Sequence, residues 1–310
     1  MSLHQSKSLQ EELEARKRLF NAIVKPSKEI LPVGLPSFDY FIGGLPKGEI
    51  TEVSDTESLG KTSFALECVK EISNRGEFVL YFNLEQKINK QILLNRGICL
   101  ENCIFCSSVT EKDVLEIASE LSSEVSLIIV DSLASILNIQ ENITQDPEYY
   151  HFRKTLRTLA SIAINNNIPI LVLNQHRYFN NPLTPRIPKL TSFSEKNISQ
   201  WADIRIVLTS GGFVFHGFES IGRRIIFNVY RKKSWGKINF SIDLLFKSGF
   251  NKFMDLLELS VSLGVVKREG AWFFFKEKAL GKGKLLASQG ILPFYDEIFE
   301  KIMLDKPKMS

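Results

Sequence analysis

The chain has 310 residues, of which 44% are hydrophobic and 24% are charged, and its formal net charge is +4. This composition is that of a globular protein with one large domain and room for a small one. No apolar run reaches membrane-spanning length, and the first residues lack the apolar core of a secretion signal. The sequence therefore predicts a cytoplasmic protein without a membrane partner.

The chain begins with a predicted amphipathic helix. Residues 8–23 place leucines on one face and charges elsewhere, and Pro26 ends the pattern. We interpret residues 1–32 as a helical arm, which packs either on its own domain or on a neighbouring subunit.

The next signal is a phosphate-binding loop. An apolar strand from Ile50 leads through a polar turn into Gly60-Lys61-Thr62 at the start of a helix, which is the context of a P-loop. Backbone N–H groups would cradle phosphates, Lys61 would reach the β- and γ-phosphates, and Thr62 would ligate magnesium. The alternative is a helix start that has this sequence by chance. The expected loop consists of Asp55, Thr56, Glu57, Ser58, Leu59, Gly60, Lys61, Thr62 and Ser63.

Asp55 departs from the motif, which has glycine five residues before Gly60. Asp tolerates left-handed backbone geometry better than most residues, so the turn is expected to survive. The charge is the larger obstacle, because a carboxylate about 5 Å from a phosphate charge costs roughly 3 kcal/mol at an effective dielectric of 20. Magnesium or an outward rotamer of Asp55 would remove most of this cost.

Polar residues end three later apolar segments. Glu85 follows a strand near 78–84, Asp131 ends an apolar run in the Walker B pattern, and Gln175 ends another strand. Strands that alternate with helices predict an α/β fold with a mostly parallel sheet and helices on both faces. We therefore expect these residues and Lys61 to meet at the carboxyl edge of the strands, where ligands bind in such sheets.

The cysteines allow two interpretations. Cys99, Cys103 and Cys106 have the Cys-x3-Cys-x2-Cys spacing of an iron–sulfur motif. The alternative, which the sequence favours, is a short buried strand over 104–106 with ordinary buried thiols.

A long polar segment at 177–198 mixes cations with aromatic residues, and further strands follow near 202–209, 223–231 and 238–243. Cations can follow the phosphates of a single strand, and aromatic rings can stack on its bases. The alternative is an exposed loop with ordinary charges. The residues predicted to bind single-stranded DNA are Arg177, Tyr178, Phe179, Arg186, Lys189 and Lys196.

The order of these motifs resembles the RecA family of DNA recombinases. Residues 41–50 resemble the family's entry to the P-loop, and Asn83-Leu84-Glu85 resembles its Asp-Ala-Glu. Residues 263–273 closely resemble its small C-terminal domain. The resemblance implies a RecA-like P-loop ATPase core at 33–248 and a small α/β C-terminal domain at 249–310.

The resemblance also implies residue roles. Glu85 would be the general base, Gln175 would sense the γ-phosphate, and Asp131 would support Mg²⁺ with Thr62 in an ATP complex. Arg231 and Lys233 match the basic pair that reaches the ATP of the next subunit, although a solvated hairpin tip is the alternative for them.

Other residues depart from the family's pattern. Ile92 stands where the family stacks an aromatic residue on adenine, and Asn83 and Asn89 stand where it has acids. With Asp55, these departures weigh against fast ATP turnover and standard strand exchange.

The resemblance implies a DNA-dependent ATPase of DNA recombination, repair and the SOS response, whose subunits form an oligomer or filament on single-stranded DNA. The alternative is a catalytically weak or inactive paralogue, an adaptor for another recombinase or a repair polymerase in damage-induced mutagenesis, as ImuA-type relatives are thought to be. A RadA- or KaiC-like ATPase is a more distant alternative, because the C-terminal match is specific to RecA.

Overall fold

A computed structural model describes residues 29–55, 58–136, 147–179, 189–192, 198, 200–232 and 234–306. The predicted N-terminal helix at 8–23 and the predicted site residues Thr56, Glu57, Arg186, Lys196 and Lys233 lie outside the described residues.

The strands belong to one large sheet and two small ones. In chain order they are β1 (Ile30–Leu31), β2 (Leu45–Pro46), β3 (Ile50–Asp55), β4 (Val79–Asn83), β5 (Cys103–Cys106), β6 (Leu127–Asp131), β7 (Ile170–Phe179), β8 (Lys189–Ser192), β9 (Ala202–His216), β10 (Glu219–Arg231), β11 (Ser234–Leu245), β12 (Gly249–Phe250), β13 (Lys267–Glu269), β14 (Trp272–Phe275) and β15 (Lys278–Lys282).

The helices alternate with the strands through the first half of the chain and cluster at its end. They are α1 (Pro36–Phe41), α2 (Lys61–Ser73), α3 (Lys90–Asn95), α4 (Glu111–Leu121), α5 (Leu133–Ile136), α6 (Pro147–Asn166), α7 (Lys252–Ser262), α8 (Lys284–Gly290) and α9 (Tyr295–Leu304). None of the helices within the described ranges combines the length and the apolar character needed to cross a membrane.

The large sheet has the strand order β12-β11-β10-β9-β3-β7-β6-β4-β5, and β8 pairs with β7. Its centre is parallel, from β9 through β3, β7, β6 and β4 to β5. Apolar runs such as Leu127–Val130 are buried completely because helices cover both faces. The expected α/β fold with a mostly parallel sheet is confirmed, and β9 to β12 add an antiparallel wing.

Two apolar clusters cover the two faces of this sheet. Helix α2 contributes Phe64, Val69 and Ile72 to the first cluster. Helices α4 and α6 contribute residues such as Val114 and Leu156 to the second. Because α2 follows β3 after only the P-loop, burial of its apolar side chains holds that loop at the sheet edge.

The C-terminal unit has its own core of three helices and the sheet β13-β14-β15. Asp255 at the start of α7 joins it to the main domain, because this carboxylate accepts the Ser37 N–H at 2.9 Å and also the Ser37 hydroxyl. Burial raises the pKa of Asp255 to about 7, and these hydrogen bonds oppose that rise.

Three local predictions differ from the structure. The strand predicted to end at Gln175 continues to Phe179 and pairs with β8, so part of the segment predicted as a loop at 177–198 is a hairpin. The strands β9, β10 and β11 are also longer than predicted, because they pair with one another along most of their length.

The cysteine segment is a half-buried edge strand and not a buried one. Cys103 packs against the first apolar cluster, whereas Cys106 packs against the second. Successive side chains of a strand point to opposite faces, and three positions separate these two thiols. This placement is incompatible with one cluster ligated by both Cys103 and Cys106.

Candidate functional site

The carboxyl edge of the parallel strands brings the predicted site residues together. Asp55 ends β3 in register with Gln175 of β7, and Asp131 ends β6 in register with Asn83 of β4. Glu85 follows two residues after Asn83, and its N–H lies 3.3 Å from the carbonyl oxygen of Asp131. Parallel pairing therefore places four strand ends at one edge, as their sequence positions indicated.

Ser58 and Gly60 of the P-loop have left-handed backbone geometry. Ser58 has φ 42° and Gly60 has φ 106°, whereas Asp55 is an ordinary strand residue. A side chain at position 60 would lie 2.8 Å from Leu244, so glycine is required there for space as well as for conformation. Asp55 therefore does not need the left-handed geometry that the sequence analysis considered for it.

Asp55 points inward and contacts the P-loop itself. Its Oδ2 accepts the Leu59 N–H at 2.7 Å, and its Oδ1 forms an ion pair with the Lys61 ammonium. The two side chains are 2% and 9% exposed, so the pair is shielded from water. The sequence suggested an outward rotamer or magnesium as relief for this charge, but the structure neutralises it with the P-loop lysine.

Thr62 and Asp131 form the predicted metal-binding pair. The Thr62 hydroxyl donates to Asp131 Oδ2 at 3.0 Å, and the Tyr81 hydroxyl donates to the same oxygen at 2.7 Å. Burial raises the pKa of Asp131, and the Tyr81 hydrogen bond opposes that rise. Tyr81 was missed by the sequence analysis, because a tyrosine within an apolar strand gives no local sign of its partner.

Hydroxyl and carboxylate oxygens are the donors that Mg²⁺ prefers, and a phosphate-bound Mg²⁺ usually has one or two carboxylates and several waters. Among the described residues no group of three or more His, Cys, Asp or Glu side chains could hold a metal ion by itself. Thr62 and Asp131 thus fit an Mg²⁺ that arrives with phosphate.

Glu85 lies beside Gln175 and Lys87. Gln175 Nε2 is 3.5 Å from Glu85 Oε1, and Lys87 forms an ion pair with Oε2. Burial alone would raise the pKa of Glu85, but hydrogen bonds from Lys87 and Ser132 outweigh it and lower the pKa. Glu85 is therefore ionised at neutral pH, as a general base must be. Lys87 and Ser132 were also missed by the sequence analysis.

A cavity of about 600 Å³ adjoins the loop. Phe246 beside it is more than half exposed, whereas Ile92 packs against the first apolar cluster. Phe246 follows β11, which is distant in sequence from the P-loop, so sheet pairing alone brings it here. The lining residues are Ser58, Leu59, Arg223, Ile225, Leu244 and Phe246.

Arg231 lies far from the P-loop of its own chain. It pairs with Ile204, which pairs with Thr51, four residues before Asp55 on β3. The offset along the strand is therefore about 13 Å. Its guanidinium donates to the Ile42 carbonyl, and burial lowers its pKa. A role at the nucleotide of a neighbouring subunit stays a prediction.

The predicted DNA-binding segment is continuous with the strand that carries Gln175. Strand β7 extends from Gln175 through Arg177 to Phe179, where Phe179 pairs with Lys189 of β8. A movement of Gln175 would therefore be transmitted along a single strand to the β7–β8 hairpin.

Family models cover nearly all of the described chain. The RecA N-terminal domain matches residues 27–251, and the RecA C-terminal domain matches residues 254–303.

Curated relatives extend over most of the chain at modest identity. Protein RecA of Aquifex aeolicus is 28% identical over 279 residues, which cover 85% of this chain and 79% of the relative. Protein RecA of Ruminococcus albus is 27% identical over 301 residues, which cover 91% and 74%. Protein RecA of Mycoplasmopsis pulmonis is 28% identical over 279 residues, which cover 84% and 80%.

Proposed function

The chain belongs to the RecA family, and we propose that it acts in DNA recombination or repair by binding single-stranded DNA and hydrolysing ATP at subunit interfaces. The observation that carries the proposal is the convergence of Lys61, Thr62, Glu85, Asp131 and Gln175 at one sheet edge. These residues supply a phosphate cation, metal-binding oxygens and a carboxylate base.

Each residue at this edge has a distinct role in the proposed reaction. Lys61 and the loop amides would hold the phosphates, and Thr62 and Asp131 would hold an Mg²⁺, which when bound would supply positive charge to the phosphoryl group. The Glu85 carboxylate orients the attacking water and accepts its proton. The exposed ring of Phe246 in the adjoining cavity offers a stacking surface for the base.

DNA acts on this site through the β7–β8 hairpin, and a neighbouring subunit acts on it through two cations. The strand from Gln175 to Phe179 gives DNA on the β7–β8 hairpin a direct connection to Glu85, because Gln175 lies beside that carboxylate. Arg231 and Lys233 of one subunit would supply cations to ATP on the next, so that turnover requires assembly.

The test is ATP turnover with and without single-stranded DNA, for wild type and Lys61→Ala. We expect turnover that DNA stimulates and that Lys61→Ala abolishes. An exposed lysine, Lys112, provides the matched control Lys112→Ala. Absence of turnover in folded wild type under every DNA and Mg²⁺ condition would contradict the enzymatic proposal.

A second candidate is a weak or inactive paralogue that serves as an adaptor for another recombinase or a repair polymerase. The Asp55–Lys61 ion pair favours it, because the P-loop cation is already neutralised by the chain itself. Folded wild type that binds a repair protein while it turns over no ATP would support the adaptor over the enzyme.

A further inference from the structure

We propose that Asp55 is a built-in competitor of the nucleotide, whose carboxylate occupies the phosphate-binding groups of the P-loop until a ligand displaces it. This inference rests on the proposed function, because it concerns the affinity of the same nucleotide site.

The contacts of Asp55 are those that a phosphate would use. A P-loop holds phosphate oxygens with backbone N–H groups and with its lysine. One oxygen of Asp55 accepts the Leu59 N–H at 2.7 Å, and the other pairs with the Lys61 ammonium. Both oxygens are therefore engaged by groups that a bound phosphate needs.

Burial makes this competition effective. Lys61 and Asp55 are almost completely shielded from water, so their attraction is weakly screened. A phosphate that approaches Lys61 must either separate this pair or remain beside a like charge. Either course lowers the net affinity for nucleotide relative to a loop with an uncharged residue at position 55.

The charges around the loop act in the same direction. The carboxyl groups of Asp55, Glu85 and Asp131 interact with the ammonium groups of Lys61 and Lys87. Three carboxyl groups thus face two ammonium groups before an anionic nucleotide enters. Removal of the Asp55 charge would leave two carboxylates and two ammonium groups. Asp55 therefore raises the nucleotide concentration that is needed to fill the site.

The backbone does not need another residue at this position. Asp55 is a strand residue without a positive φ, whereas Ser58 and Gly60 have left-handed geometry. A neutral residue of the same shape should therefore leave the loop intact. This separates the electrostatic effect of Asp55 from any conformational effect.

The experiment is calorimetric titration of Mg-ATP into wild type, Asp55→Asn, Asp55→Gly and Lys61→Ala. Asparagine keeps an acceptor for the Leu59 N–H but removes the charge. We expect Asp55→Asn and Asp55→Gly to bind Mg-ATP at least about tenfold more tightly than wild type. Asp305→Asn changes the same charge at an exposed site and should bind like wild type.

Thermal unfolding provides a second measurement and a check of folding. Mg-ATP should raise the melting temperature of Asp55→Asn more than that of wild type, because tighter binding to the folded state gives more stabilisation. This comparison still applies if Asp55→Gly is too unstable to purify.

Two results would overturn the inference, and they differ in whether the proposed nucleotide site is retained. Equal affinity in wild type and Asp55→Asn, with binding lost in Lys61→Ala, removes the competitor but keeps the proposed nucleotide site. Absence of binding in wild type and in both folded Asp55 variants removes the proposed nucleotide site together with the competitor.

Discussion

The Tyr81 hydroxyl donates a hydrogen bond of 2.7 Å to Asp131 Oδ2 across the neighbouring strands β4 and β6. The same oxygen accepts the Thr62 hydroxyl, so Tyr81 restrains the carboxylate that is assigned to the metal. The Tyr81 side chain is completely buried, and its ring lies 5.3 Å from that of Phe105. Tyr81, in the interior of β4, thus positions Asp131 at the edge of the sheet.

Tyr81→Phe should lower the free energy of unfolding by about 1–2 kcal/mol, because a buried hydrogen bond to a carboxylate is lost. It should also weaken Mg-ATP binding, since the pKa of Asp131 rises further when the Tyr81 hydrogen bond is removed. Denaturant unfolding and Mg-ATP titration measure the two effects. Tyr230→Phe removes a hydroxyl from a half-exposed ring and serves as the control. Unchanged stability and binding in Tyr81→Phe would show that the hydroxyl has no positioning role.

Lys61→Met should reduce stability by about 3–5 kcal/mol, because it leaves the Asp55 carboxylate buried without its cation. The double variant Asp55→Asn/Lys61→Met should recover a large part of this loss, since no buried charge remains. Urea unfolding of both single variants and of the double variant completes the cycle. Additive losses would mean that the two side chains do not interact in solution.

Glu85→Gln should reduce ATP turnover by about 10² to 10⁴, because the amide cannot accept a proton, while nucleotide binding is retained. Steady-state turnover and Mg-ATP titration distinguish these effects. Loss of binding and turnover in equal measure would assign Glu85 to ligand binding and not to catalysis.

Lys87→Met should move the acid limb of the turnover profile to higher pH. The Lys87 hydrogen bond helps to hold the pKa of Glu85 low, so its loss raises that pKa and delays ionisation of the base. The measurement is kcat against pH for wild type and Lys87→Met. An unshifted acid limb would mean that the ionisation that limits turnover at low pH is not that of Glu85.

Protein stability should fall as pH rises from about 4 to 7, because buried Asp255 binds its proton more tightly in the folded state than in the unfolded one. Its pKa is about 7 in the folded state against an ordinary value of 3.8, and Asp39 has the same shift, also caused mainly by burial. The Asp255 contribution is fully present below about 4 and is lost by about 7. Between pH 5 and 8 this loss amounts to roughly 3 kcal/mol for Asp255.

Asp255→Asn should flatten this pH dependence, because an amide does not titrate in this range. The Ser37 hydroxyl can accept a hydrogen bond from the new amide group, so the contact between the two domains is retained. Urea unfolding at pH 5 and pH 8 tests the comparison. A variant that retains the full wild-type decrease would exclude Asp255 as its source.

Binding of single-stranded DNA should weaken steeply with salt. Arg177→Gln together with Lys189→Gln should reduce the slope of log affinity against log salt by about 1.4, if each cation neutralises one phosphate. Exposed Lys112 and Lys154, changed together to Gln, remove the same charge elsewhere and provide the control. Equal slopes in the two double variants would place the DNA away from the β7–β8 hairpin.

The sequence by itself determined the alternation of strands and helices, the strand-end positions of Glu85, Asp131 and Gln175, and the helix start at Lys61. These features are local, because apolar runs and their polar ends are set by neighbours in the chain. The extension of β7 to Phe179 was missed, since its pairing with β8 is a contact across an intervening segment.

Only the tertiary structure decided the inward rotamer of Asp55, the hydrogen bond from Tyr81 to Asp131 and the arrival of Phe246 beside the P-loop. Each depends on which side chains face one another after the sheet has formed. Burial then fixes the outcome, because a carboxylate that is removed from water must take the nearest cation or N–H group as its partner.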